Sequence, residues 1–192
     1  ALAQGSVLLS TNISIPNFNE DIFDGNKGIH KANPIEFKLV GHYLLFDHLI
    51  SGIYTSYRYS SNMYDWRNGE FQIGPELGLF IGNNNSRIRP FAKMGIGYIH
   101  KTRFERETKW FPSCANKYSV IGEGSNIILA AGTYFKIYKM LLLNFSLDYN
   151  YTTIKYDVNY KESFSEFCVH ESYINRIQDD YLSFSLGLTF LL

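Results

Sequence analysis

Apolar and polar side chains alternate with a period of two along most of this chain, broken by clusters of turn residues. The segment YLSFSLGLTFLL, residues 181–192, shows it most plainly. Leu182, Phe184, Leu186, Leu188, Phe190 and Leu192 share one face; Tyr181, Ser183, Ser185, Gly187, Thr189 and Leu191 share the other. Seven further stretches carry the same period and predict strands over 7–15, 35–46, 49–60, 71–81, 88–100, 127–137 and 141–153. The connections alternate in length. FDH, GNNNS and YKM are tight hairpin turns, whereas 16–34, 61–69, 101–125 and 156–180 are long.

Short turns at one rim and long connections at the other predict an all-β fold. It is an eight-stranded antiparallel up-and-down transmembrane β-barrel with short periplasmic turns and long extracellular loops. A soluble eight-stranded barrel would turn its apolar face inward. Here the faces opposite the apolar ones carry Gly74, Gly78, Gly95, Gly97, Gly132 and Gly187, with several serines. Such small residues fit a crowded interior and not a solvated exterior. The same faces carry Glu36, Lys38, Arg58, Glu76, Arg89, Lys93, Lys136 and Asp148, which are expected to form an ion-pair network in the lumen. His42 is expected beside Glu36 and Lys38. Charges are missing from the apolar faces of the central strand segments, as lipid exposure requires. Pro75 and Pro90 fall on that face and are expected at near-rim positions or bulges, because each removes a ladder N–H.

Composition agrees with an interface between water and lipid. Aromatic residues make up 17 % of the 192 residues, and amphipathic rings collect at membrane boundaries. Tyr43, Tyr57, Tyr59, Tyr98, Tyr149 and Tyr151 fall toward predicted strand ends, where such a girdle belongs. No run of eighteen apolar residues is present, so no membrane helix is predicted, but spanning strands need only about 9–11 residues each. Lys plus Arg equals Asp plus Glu at 18. There is no net positive charge to attract nucleic acid, and none is expected as a partner. The opening Ala-Leu-Ala matches the A-x-A pattern that precedes a signal-peptidase cut. Residues 1–5 are therefore read as an exported-precursor remnant or tail, and 6–192 as the barrel.

Three stretches, IEFKLVGHYLLFDHLISGIYTSYRYS, FQIGPELGLFIGNNNSRIRPFAKMGIGYIHK and LSFSLGLTFLL, resemble the small eight-stranded outer-membrane β-barrels of Gram-negative bacteria, the OmpX and OmpA-barrel type. The last resembles the C-terminal signal read by the barrel-assembly machinery, although Phe190 is followed by Leu191 and Leu192. The resemblance implies a location in the cell outer membrane of a Gram-negative bacterium, with outer-membrane lipid and lipopolysaccharide as neighbours.

Candidate chemistry is sparse. Cys114 and Cys168 lie in the two late connections, on the oxidising side, and are expected to form a disulfide. The five histidines show no metal-ligand spacing, and no metal is expected. GEGSN and GNNNS are turn chemistry and not phosphate loops, so no cofactor is expected. The connections carry Phe104, Trp110, Phe111, Tyr160, Phe164, Phe167 and Tyr173, a candidate binding surface or a packed cap. The expected function is that of a non-enzymatic barrel with a lumen plugged by side chains. It would act through its extracellular loops or dock as an accessory subunit on a larger outer-membrane complex. The alternative is a lipid-modifying barrel enzyme of the lipid A deacylase or acyltransferase type. Its candidate groups would be His100 with Glu105 or Glu107, or His170 with Glu166, Glu171 and Ser172.

Overall fold

The period-two pattern is realised as eight strands that close on themselves. The computed structural model describes residues 4–17, 34–61, 67–81, 86–108, 115–164 and 167–192. They form β1 (Val7–Asn17), β2 (Ile35–Leu44), β3 (Leu49–Ser61), β4 (Arg67–Phe80), β5 (Ile88–Thr108), β6 (Ala115–Tyr138), β7 (Leu141–Phe164) and β8 (Phe167–Leu191). Each strand pairs antiparallel with the next, and β8 pairs with β1 to complete a closed barrel. Closure leaves no unpaired sheet edge at the level of β1, which a hydrocarbon surrounding would not tolerate.

Burial alternates residue by residue. On β2, Glu36, Lys38, Val40, His42 and Leu44 are buried, while Ile35, Phe37, Leu39 and Tyr43 stand exposed. The inversion is the same on the other strands: Ser10, Arg58, Gln72, Glu76 and Asp148 are buried. Ile15 is 68 % exposed, Phe184 67 % and Ile53 63 %. Each such side chain left in water forgoes about 1.5–3 kcal/mol of burial. Repeated around the whole wall, that loss exceeds the roughly 5–15 kcal/mol by which a domain is stable. The apolar face therefore needs lipid.

Both chain ends and the short turns meet at one rim. The amide of Val7 donates to the carbonyl of Leu192 at 3.1 Å, and that of Gly5 to Leu44 at 3.0 Å. Inside this rim the lumen is apolar: Leu8, Leu44, Ile50, Phe80, Phe91, Tyr134 and Leu142 pack together. The Tyr134 ring centroid lies 4.7 Å from that of Phe91 and 5.6 Å from that of Phe80.

The prolines are accommodated in two ways. The β4–β5 ladder runs through Ile73–Tyr98, skips Gly74 and Pro75, and resumes at Glu76–Gly95. Gly97 lies where the two backbones approach closely. A Cβ there would stand 2.6 Å from the Ile73 carbonyl oxygen and 2.8 Å from Asn126 Oδ1. Pro90 lies near the short-turn rim, paired with Thr133, and its carbonyl accepts from the Ile81 amide at 2.8 Å.

The largest difference from the sequence expectation is strand length. β1 to β4 have 10–14 residues, but β5 to β8 have 21–25. Most of what the alternation assigns to the connections 101–125 and 156–180 is strand. A bilayer crossing takes about 9–11 residues, so each of the last four strands carries some ten or more beyond it, on the order of 35 Å of extended chain. We expect Gly97→Val to destabilise the folded barrel by about 1–3 kcal/mol through overpacking. Gly41→Ala, where no atom lies within 4 Å of the added carbon, should stay within about 0.5 kcal/mol. Urea unfolding of the vesicle-inserted protein measures both.

Candidate functional site

The residues with chemistry converge in the lumen, because inward positions of neighbouring strands fall level with one another. Glu76 of β4 is the hub. Lys38 Nζ of β2 donates to its Oε2 at 3.1 Å, and His42 Nε2 lies 2.7 Å from Oε1. Lys93 Nζ of β5 stands 3.5 Å from the same Oε1. The Glu76 side chain is fully buried, and those of Lys38 and His42 nearly so. Lys93 also lies 4.5 Å from the Phe91 ring centroid, and Lys38 lies 5.2 Å from that of Tyr54. These rings stabilise the ammonium groups by cation–π attraction in place of water.

A second network lies farther from the short-turn rim. Arg58 of β3 pairs with Glu70 of β4, and Lys101 Nζ lies 3.9 Å from Glu70. Gln72 donates to Glu70 Oε1 at 2.7 Å, Asn126 donates to Gln72 at 2.7 Å, and Tyr54 donates to Asn126 at 3.0 Å. The Tyr181 ring lies beneath the Arg58 guanidinium at 4.4 Å. One hydrogen-bonded chain thus joins β3, β4 and β6, with β5 and β8 meeting it at Lys101 and Tyr181.

A third set is hydroxylated and lines the closure. Ser10 and Thr189 share a hydrogen bond of 2.8 Å, and Ser14 and Ser185 one of 2.6 Å, both across β1 and β8. Asn144 donates to Thr189 at 2.8 Å, and Ser185 to Asp148 at 2.9 Å, linking β7. Ser185 and Thr189 of β8 therefore bond the barrel's last strand to its first.

Of the residues expected in one ion-pair network, Lys38, Glu76 and Lys93 meet in the first cluster and Arg58 stands in the second. Glu36 is buried opposite Arg58 in the β2–β3 register. Asp148 belongs to the hydroxyl set. Arg89 is buried near the short-turn rim, where its Nε donates to the Ser86 carbonyl at 3.4 Å. Lys136 is a correction. It is exposed, because the β6–β7 register shifts between Lys136 and Tyr138 and the inward pattern ends there. His42 bonds Glu76, the carboxylate that also holds the Lys38 expected near it. Gln72 is buried on the face the alternation gives it, whereas Glu70 and Asn126 escaped the sequence reading because they lay just outside the predicted strand limits. Carrying the period-two count one residue outward at each place finds them.

The expected enzyme groups are rearranged. His100 faces outward, and its Nδ1 lies 3.6 Å from Glu123 Oε1 on β6. Glu105 and Glu107 stand farther along β5, opposite Tyr118 and Asn116. On β8, His170 pairs in register with Lys161, Glu171 with Tyr160, and Ser172 with Asn159. Glu166, Trp110, Phe111 and Cys114 lie outside the described residues. The disulfide expected between Cys114 and Cys168 is therefore not placed; Cys168 stands opposite Ser163. Phe104, Tyr160, Phe164, Phe167 and Tyr173, expected on loops, are strand residues, with Phe164 directly opposite Phe167.

No family model matches the sequence, and no curated protein matches it. Solved structures do match. The chain is similar to the outer membrane protein OprG from Pseudomonas aeruginosa, at 15 % identity with a TM-score of 0.63, covering 99 % of this chain and 97 % of that one. It is also similar to a major outer membrane protein from Thermus thermophilus, at 9 % identity and a TM-score of 0.63, covering 97 % and 99 %. Neisserial surface protein A matches at 10 % identity and 0.55, covering 98 % and 97 %. The chain has the fold of small outer-membrane β-barrels.

Glu76 holds Lys38 and Lys93 in one buried cluster. Glu76→Gln should destabilise the barrel by about 3–5 kcal/mol, since buried cations are left uncompensated. Replacing the cluster by Glu76→Leu with Lys38→Met and Lys93→Met should recover most of that loss in the same urea titration.

Proposed function

We propose that this chain is a non-enzymatic integral barrel of a Gram-negative outer membrane, with a lumen filled by side chains. It acts through the part of β5–β8 that projects beyond the bilayer, or docks as an accessory subunit on a larger outer-membrane complex. Outer-membrane lipid and lipopolysaccharide are its surroundings. The observation that carries this reading is the unequal strand length. Residues Phe167–Tyr181 of β8 pair with β7 along their length, whereas β1 reaches β8 only as far as Leu182. Among the described residues, four strands thus form a wall standing above the other four. A projecting sheet costs ordering entropy, and an exposed strand edge is a ready template for an extended segment of a partner.

The filled lumen is supported by the apolar layer at the short-turn rim and by the two buried polar networks above it. Eight strands leave room only for side chains. The outer-membrane location is supported by the apolar exterior and by the shared fold. The non-enzymatic reading is supported at His100, which meets Glu123 in place of the acids of its own strand.

Planar-bilayer recordings should show no stable steps in the nanosiemens range; such steps would contradict the filled lumen. Lipid A extracted from cells expressing the protein should keep its acyl pattern. An altered pattern that reverts with His100→Ala would establish the enzymatic alternative.

A further inference from the structure

The short-turn rim carries its charge unevenly. Along its arc from β4 to β8 the described side chains include Arg87, Lys136 and Lys139, all exposed, and no acid. The β4–β5 connection GNNNS is uncharged, and Asp47, the described acid of this rim, sits in the β2–β3 turn. Beyond the Ile88–Phe135 pair the Lys136 amide donates to the Arg87 carbonyl at 2.8 Å, so the two cations stand on adjacent strands. Lys139 follows in the β6–β7 turn. Behind them Arg89 is buried, and its Nη1 has no hydrogen-bond partner among the described residues.

A local irregularity places these charges. The β6–β7 ladder pairs Lys136 with Leu142 and Tyr138 with Leu141, so Ile137 is an extra residue on β6. Such a bulge re-aims the side chains beside it. Tyr138 joins Leu141 and Phe190 in the last outward row before the turns, and that row continues to Leu9 without a charge. Tyr138 is 70 % exposed, and Ile137 and Met140 are exposed beside it. Apolar side chains left open among cations fit a membrane interface, where rings and aliphatic stems enter lipid and charged ends stay in water. From Leu129 to Tyr138 is about 30 Å along β6, or roughly 21 Å of height at a 45° tilt. That is most of an apolar band about 25 Å tall. Lys136 and Lys139, on either side of Tyr138, therefore stand at headgroup level. This rim holds the chain ends, so in the proposed orientation it meets the inner leaflet.

We propose that Arg87, Lys136 and Lys139 dock the headgroup of an anionic phospholipid of the inner leaflet. The chemistry that fits is a phosphate diester with no cation of its own. A zwitterionic headgroup brings an ammonium that three cations would repel. Arg87 offers a planar fork and the lysines offer movable ammonium donors, so one diester can be held from several sides. Each Lys or Arg near an anionic surface contributes attraction, and with no acid on this arc the contributions add. The acyl chains lie against Tyr138, Leu141 and Phe190. A soluble acidic partner would leave Ile137, Tyr138 and Met140 in water, which favours the lipid. The inference rests on the membrane placement proposed above.

The test uses the full chain inserted in phosphatidylcholine vesicles that contain a minor share of phosphatidylglycerol. Insertion of every variant is checked by protease protection of the barrel. The lipid retained on release from the vesicles is then identified by native mass spectrometry. Wild type should retain phosphatidylglycerol in preference to phosphatidylcholine. Arg87→Gln with Lys136→Gln and Lys139→Gln should weaken that retention by about tenfold or more, and Lys136→Arg with Lys139→Arg should preserve it. Lys155→Gln, exposed at the opposite rim, should have no effect. Undiminished retention by the triple Gln variant, equal retention of the two lipids by wild type, or full displacement of phosphatidylglycerol by inorganic phosphate or by polyglutamate would overturn the proposal while leaving the barrel reading intact. Failure of the chain to insert would overturn both.

Discussion

Hydrocarbon offers no hydrogen bond to a peptide group, and the closure of β8 onto β1 answers that constraint. The rest of the structure depends on it. Once the sheet is closed, every residue faces either lipid or a narrow lumen, and the alternation of side chains follows. The small hydroxylated face of β8 belongs to the same solution. Ser185 and Thr189 bond Ser14 and Ser10 across the joint, so the last strand is held by its side chains as well as by its ladder.

Closure creates a second demand, because eight inward faces crowd one another. The chain meets it with glycines where backbones or rings approach, as at Gly97 beside Tyr54, and with polar groups that satisfy each other. Glu76 illustrates the balance. A lone carboxylate at such depth would be strongly disfavoured, and so would each of the cations around it. Buried ion pairs add little net stability compared with an apolar filling. Their effect here is selective: Glu76 on β4, Lys38 on β2 and Lys93 on β5 satisfy one another only in this strand register, and a slip of one residue would turn each of them into lipid.

The membrane-spanning half of the fold was legible in the sequence because its two faces meet different surroundings. Every predicted strand is present, and within the predicted strands the described inward and outward sets agree except at Lys136. The projecting part was not legible for the opposite reason. The stretch around Arg103, Glu105 and Glu107 carries no apolar alternation and so reads as a connection. The predicted strand limit at residue 71 left out Glu70 of β4, and with it the partner of Arg58. Lys136 failed for a related cause, since parity ceases to mean burial where a bulge ends the ladder. The cationic rim became visible only with the register, because Arg87 and Lys136 are far apart in sequence and adjacent only across strands.

The central claim is that lipid covers the apolar face and side chains fill the other. It is tested most directly by depth-resolved quenching. Single tryptophans at Phe37, Phe145, Phe184 or Tyr54, with Trp66 and Trp110 replaced by Phe, would be placed in vesicles of lipid brominated along the acyl chain. The account predicts strong quenching from positions 37, 145 and 184 and little from position 54. Quenching at 54, or its absence at the three outward positions, would contradict it.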